Sequence, residues 1–273
     1  MLKKIMLFFL GLMLIAIPLI AQENKIIILA TTTSVQDTGL LDVLLEKFTT
    51  ETGYTVKPIA VGTGQAIKLG MNGEADILWV HSPDDEKKFV EEGYGISRTT
   101  FMHNDFVLLG PANDPAGVKT AKSITNAFKI ISEKAVLFVS RGDQSGTHKK
   151  ELKIWKIAER TPNKEKYVEV GQGMAATVRI ADEKQAYCLA DRSSYLSLKK
   201  NLSLTILFEN DKNLLNLYSL IPVNTQKFSK VNEKGAKILL DFLLSAKTKE
   251  IVENFGREKY GQQLFFYDYE VKK

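Results

Sequence analysis

The chain has 273 residues, 44% of them hydrophobic and 25% charged, with a formal net charge of +5 and one cysteine. That length favours two lobes over one, because single cores stop growing near this size. Lys and Glu are mixed along the chain with no basic stripe or interleaved aromatics, which excludes a nucleic-acid surface, and the lone Cys188 excludes an internal disulfide.

Residues 1–21 read as a secretory signal: Lys3 and Lys4, an uncharged run from Ile5 to Ile20, and an exit at Ala21. Cleavage near Ala21 leaves 35 basic against 32 acidic residues, a net charge of +3, and no cysteine there to carry a lipid. The mature protein is expected in an extracytoplasmic compartment, a periplasm. Beyond it, strands and helices alternate. Ile26–Ala30 predicts a strand, and a helix beginning near Asp37 lines up Leu40, Leu41, Val43, Leu44, Leu45 and Phe48 on one side before ending near Gly53. Strands follow at Tyr54–Ala60 and Ala75–Val80, with a short helix at Ala66–Met71 between them. After a helix at Pro83–Glu92 and a strand at Asn104–Gly110, Pro111–Gly117 is a surface turn, and Ser123 caps a helix to Ser132. The strand Ala135–Val139, a helix Met174–Lys184 and a strand Gln185–Ala190 continue the alternation. Strands at Leu204–Phe208 and Leu215–Ile221 and helices at Glu233–Leu244 and Thr248–Phe255 close the chain. Such alternation predicts α/β lobes with mainly parallel sheets, whose ligands sit beyond the carboxyl ends of the strands.

Hydroxyl-rich and glycine-rich loops fall at those ends. Ser140-Arg141-Gly142-Asp143-Gln144-Ser145-Gly146-Thr147-His148 follows one strand and opens a helix, and Thr31-Thr32-Thr33-Ser34 does the same near the start of the chain. Unpaired N–H groups and the positive end of a helix dipole meet at such points and attract an anion. Two loops about a hundred residues apart suggest two halves of one anion site. Gly62-Thr63-Gly64 is a third such loop, and Asp191-Arg192-Ser193-Ser194 a fourth. Arg141 sits where it would offset ligand charge, and Arg192 has a similar place. Cys188, within an apolar run, is expected as a buried small hydrophobe, His148 on a helix surface, and His81 and His103 too scattered to hold a metal.

Together Thr31–Ser34 with Asp37 and Gly39-Leu40-Leu41, Val61-Gly62-Thr63-Gly64-Gln65-Ala66, Gly73-Glu74-Ala75-Asp76, Ser140–Asp143 with Ser145–His148, and Tyr187 with Asp191-Arg192 resemble the tungstate-binding component of the Tup-type ABC importer. The similarity spans residues 25–265, departing where Ser193-Ser194 stands for an expected Gly-Thr. The resemblance implies a type II periplasmic-binding-protein fold, with a mostly parallel sheet in each of two lobes and a hinge of two crossover strands, Asn104–Gly110 and Leu215–Ile221. It implies lobe I at 22–106 with 219–273 and lobe II at 107–218. It also implies an oxyanion, tungstate or molybdate, held by Thr32, Thr33, Ser34, Thr63, Arg141, Ser145, Gly146, Thr147 and Arg192, with no cofactor and no metal. The partners expected are the oxyanion and a membrane permease, the protein acting as a monomer. Two alternatives remain open at this level: a receptor for phosphate or sulfate, and a hydrolase using Ser145 with His148 and Asp143. Neighbours in one loop rarely reach the geometry of a triad.

Overall fold

Residues 24–271 are described in a computed structural model of the chain, and the expected signal segment at 1–21 lies outside them. The run Ile26-Ile27-Ile28 opens β1 (Ile26–Thr32), which is buried at most positions, as a central strand covered on both faces must be. It leads into α1 (Thr33–Gln36) and α2 (Leu40–Thr52), then β2 (Thr55–Val61), α3 (Thr63–Met71), β3 (Ile77–Val80), α4 (Pro83–Glu91) and the long β4 (Thr99–Gly110). There follow α5 (Ile124–Glu133), β5 (Phe138–Ser140), α6 (Gly146–Ile157), β6 (Tyr167–Glu169), α7 (Met174–Glu183), β7 (Cys188–Asp191), α8 (Arg192–Leu198) and β8 (Thr205–Phe208). The chain ends with β9 (Leu215–Pro222), α9 (Glu233–Leu243), α10 (Ala246–Asn254), α11 (Arg257–Tyr260) and β10 (Phe266–Tyr267).

One strand serves two sheets. Thr99–Asp105 of β4 pairs with β9 in a sheet ordered β10-β4-β9-β3-β1-β2, whereas Phe106–Gly110 pairs with β7 and β8. The second sheet continues through a parallel bridge between Phe138 and Tyr187 to β5 and β6. The expectation of mostly parallel sheets holds for β1 with β2 and β3 and for β5 with β6. It does not hold around β4 and β9, whose partners all run antiparallel. A strand that crosses between lobes enters its second sheet without a crossover helix to reverse it, so each sheet is mixed. These are the two α/β lobes, joined by crossover strands, that the resemblance to type II periplasmic binding proteins implies.

Several predicted boundaries shift for a common reason. Ala135 and Gln185 adopt left-handed φ values of 49° and 48°, so β5 and β7 begin three residues later than the apolar runs suggest. The first hydroxyl run is not a loop: Thr31 and Thr32 end β1, α1 starts at Thr33, and Gly39 (φ 85°) breaks it from α2.

Each lobe has its own core. In the first, Trp79 meets Phe101 edge-on at 5.1 Å and Phe48 meets Phe242 at 5.3 Å, so the C-terminal helices cover the sheet that β1 begins. In the second, Phe128, Phe138 and Trp155 form a triangle with centroids 4.5–5.6 Å apart. Pairs of this kind contribute about 0.5–1.5 kcal/mol each beyond their burial. Cys188 is fully buried, and burial pushes its thiol well above the usual range.

Candidate functional site

The two sheets flank a cleft of about 840 Å³ whose floor is the crossover strands. Thr32, Thr33 and Thr63 reach it from the first lobe, and Arg141, Ser145, Gly146 and Thr147 from the second. Seven of the nine nominated residues therefore meet across one space. Ser34 lies in α1, and its side chain is outside what the structure describes. Thr31 is fully buried, with its hydroxyl donated to the carbonyl of Trp79 at 3.0 Å, which makes it a brace. The turn before α3 gives that helix no side-chain cap, and while the N–H of Gln65 bonds back to the carbonyl of Gly62, Gly62, Thr63 and Gly64 line the cleft.

Arg192 is a correction. Its guanidinium donates to both oxygens of Asp105 and to Glu209, and it lines a separate pocket with His103 and Phe266. These carboxylates hold it in place, as the rise of its pKa above the ordinary arginine value reflects, hydrogen bonding to Asp105 being the largest cause. The loop 191–194 sits at a strand end like the others, yet Asp191 spends its carboxylate on the N–H of Ser194 and the hydroxyl of Ser193. It closes on itself.

Arg141 lies in the cleft with a partner of its own. Its Nε and Nη2 both donate to Oδ2 of Asp143, at 2.9 and 2.8 Å. Burial pushes Asp143 up, but hydrogen bonds from Ser145 and the Arg141 charge outweigh it and leave the carboxyl below its usual range. Ser145 caps α6 by accepting the N–H of His148 at 3.3 Å. His148, expected on a helix surface, is buried, because the first turn of α6 docks beside β6 with Nε2 3.9 Å from Glu169. Its Nδ1 accepts the N–H of Gln144 at 3.0 Å, fixing Gln144 at φ 59°. The imidazole is thus committed to the loop backbone. No nucleophile–base bond joins its ring to the Ser145 hydroxyl, and the hydrolase geometry is not built.

A buried network stiffens the loop from behind. Glu151 accepts from Ser140 Oγ (2.6 Å), Tyr167 Oη (2.7 Å) and Trp155 Nε1 (3.1 Å), while Ser140 Oγ accepts the N–H of Gly142. Burial raises the Glu151 carboxyl. Spacing held the clue: Glu151 and Trp155 are four apart and share the inner face of α6.

Two cleft residues escaped the sequence reading. Lys150 donates to the carbonyl of Leu215 at 2.8 Å, and burial, with Lys153 nearby, pulls its amine down to about 8. Thr147, Lys150 and Ile154 share the helix face that lines the cleft, a spacing visible in sequence once that face is known. His81, just beyond β3, shares a 2.9 Å hydrogen bond with Asn216, whose amide donates to Asn104 and Tyr218. That leaves Asn216 Oδ1 to accept from His81 Nδ1–H. Burial pulls His81 down to about 4, so the ring is neutral near pH 7. It also touches the opposite lobe: a Cβ on Gly146 would lie 2.6 Å from His81 Cε1.

The cleft lining carries five cationic side chains, Arg141, Lys149, Lys150, Lys153 and Lys212, against three carboxylates, Asp84, Asp85 and Asp191. Lys149–Asp85 (3.8 Å) and Lys153–Asp84 (3.4 Å) span the mouth, and being exposed they contribute little. The arrangement suits a small anion bound by backbone N–H and hydroxyl donors. Among the described residues no group of three His, Cys, Asp or Glu side chains could hold a metal ion.

Residues 20–247 match the model of the PBP superfamily domain. The tungstate-binding protein TupA of Peptoclostridium acidaminophilum is 50% identical over 246 residues, 89% of this chain and 86% of that protein. The chain belongs to the TupA family within the PBP superfamily. The TupA of Campylobacter jejuni is 38% identical over 245 residues, covering 88% of this chain and 90% of that protein. A solved structure of the tungstate-binding TupA from Desulfovibrio alaskensis G20 is 43% identical, with a TM-score of 0.83 over 90% of this chain and 99% of that one. The superfamily match at 20–247 takes in every residue that lines the cleft.

Proposed function

We propose that the protein captures tungstate, or molybdate of the same charge and shape, in this cleft on the extracytoplasmic side, and hands it to an ABC permease. Strand-to-helix loops from both lobes converge on a cleft with excess cationic charge, and this observation carries the reading. Its chemistry separates a full dianion from a protonated oxyanion. Each carboxylate near the loops already has donors of its own: Asp143 has Arg141 and Ser145, Asp85 has Ser82 and Lys149, Asp84 has Lys153, and Asp191 has Ser193 and Ser194. Asp143, the carboxylate of the Arg141 loop, has both oxygens engaged, so that loop offers the ligand donors, which a dianion needs and a protonated oxyanion does not fully satisfy. The names of the relatives support tungstate as that dianion.

The cleft is far larger than a tetrahedral oxyanion, given about 30 Å³ for a water molecule's share of the liquid. The lobes must therefore close on the ligand, flexing where β4 passes from one sheet to the other and at β9. We place the lobes at about 22–106 with 219–273 and at 107–218, acting as a monomer. A ligand that touches both lobes only when they are closed shifts the population by its differential affinity.

A thermal-shift panel tests the reading. Tungstate at a hundredfold excess over its Kd stabilises the fold by about 2.7 kcal/mol, which in a protein of this size raises Tm by roughly 5–10 °C. No shift with tungstate or molybdate would sink the proposal, and a shift with phosphate alone would move the chain to a different oxyanion.

A further inference from the structure

We infer that Lys150 supplies the ammonium that offsets the ligand's negative charge, and that its bond to the crossover strand ties this charge to the hinge. The inference rests on the reading of the cleft as an oxyanion site. Of the cleft's cations, Arg141 is held by Asp143, while Lys149 and Lys153 are exposed at the mouth, where water screens them and their contacts with Asp85 and Asp84 are weak. Lys212 is exposed, where water screens it. Among the described residues no carboxylate pairs with Lys150. Its Nζ donates to one neutral acceptor, the carbonyl of Leu215, and lies 5.7 Å from the centroid of the Phe106 ring. An ammonium taken out of water is costly unless a charge pairs with it, and a dianion in this cleft is that charge.

The anchor matters as much as the charge. Leu215 is the first residue of β9 and Phe106 the residue at which β4 changes sheets, so a helix of the second lobe places its cation on both crossovers. The surroundings set the direction of the pH effect. Lys149 and Lys153 lie on the same helix, Arg141 on the loop before it, His81, Asp84 and Asp85 around the start of α4, Asp191 at the end of β7, and Lys212 before β9. Burial and Lys153 favour the neutral amine, which titrates near 8. A dianion reverses that preference, so binding above this pH draws a proton onto Lys150.

Calorimetric titration of the purified protein with sodium tungstate, in buffers of differing ionisation enthalpy, measures that proton directly. The wild type should take up about half a proton per tungstate at pH 8 and close to none at pH 6.5, and its Kd should rise by up to about tenfold per pH unit above 8. Lys150→Met should weaken binding tenfold or more at pH 7 and lose the proton uptake at pH 8. Lys150→Arg, which keeps the charge but does not titrate, should retain most of the affinity and lose the uptake. Wild-type-like affinity in Lys150→Met, uptake that persists in either variant, or wild-type binding at pH 8 with no uptake would each overturn the inference. Should Lys150→Met fail to fold, the wild-type and Lys150→Arg proton counts still decide it. If the wild type binds no tungstate at any pH, the oxyanion reading itself fails and takes the inference with it. Proton-free binding, by contrast, refutes Lys150 alone.

Discussion

Replacing Gly146 by alanine sets two physical effects against each other. Gly146 is the first residue of α6, where alanine gains up to about 1 kcal/mol of helix propensity, and its backbone needs no left-handed conformation. The added Cβ, however, would stand 2.6 Å from Cε1 and 3.3 Å from Nδ1 of His81, on the opposite lobe. The ring has no easy escape, since its bond to Asn216 belongs to a network with Asn104 and Tyr218. Overpacking of this kind costs about 1–3 kcal/mol. In the unliganded protein the lobes relieve it by hinging apart, so urea unfolding of Gly146→Ala should give a stability within about 1 kcal/mol of wild type. Closure on tungstate removes that outlet. The Kd should then rise by ten- to a hundredfold, about 1.4–2.8 kcal/mol. Combining it with His81→Ala in a double-mutant cycle should recover much of the loss. Wild-type tungstate affinity in Gly146→Ala would refute the idea that the lobes close with His81 against this helix start.

Other expectations follow from the same contacts. Arg141→Gln should weaken tungstate binding about tenfold or more, through lost charge and through an Asp143 carboxylate left to repel the dianion. If Arg141→Gln with Asp143→Asn binds as wild type, Arg141 serves only to neutralise Asp143. Arg192→Met should leave tungstate affinity unchanged while destabilising the fold by about 2–3 kcal/mol in urea, because Asp105 loses both its hydrogen bonds in a mostly buried place; a selective loss of affinity would restore Arg192 to the ligand site. Burial pulls His81 from its ordinary value of 6.5 down to about 4 in the folded chain, so the unfolded chain binds more protons between those values. Its contribution, about 3 kcal/mol, is fully present above pH 6.5 and is lost as pH falls toward 4. His81→Asn should flatten that part of the acid-stability profile, and an unchanged slope would show that the ring titrates normally.

The segments at 31–34, 62–65 and 140–147 were legible in the sequence because each is a contiguous run of hydroxyl and glycine residues placed between a strand and a helix. Their convergence follows from strand order, which alternation alone does not imply, since it predicts parallel sheets where β4 and β9 pair antiparallel. What escaped depends on contacts between distant segments. His81 and Asn216 are 135 positions apart yet share a hydrogen bond, and no local pattern marks either one. Lys150 looks like one more lysine in a charged helix until the face of α6 toward the cleft is known. Arg192 misled because its loop is locally like the others, and only Asp105 and Glu209, brought by β4 and the segment after β8, claim its guanidinium. His148 was misplaced for the same reason: the docking of α6 beside β6, not its own spacing, buries it. Left-handed Ala135 and Gln185 hid the true strand starts, since neither residue type announces that conformation.

The central claim is that a tetrahedral dianion binds between these lobes, and titration calorimetry of the purified protein with tungstate, molybdate, sulfate and phosphate in parallel tests it most directly. One tungstate or molybdate per chain, with sulfate and phosphate at least a hundredfold weaker, is the result predicted. Binding of phosphate in preference to tungstate, or no heat from any of the four, would contradict it.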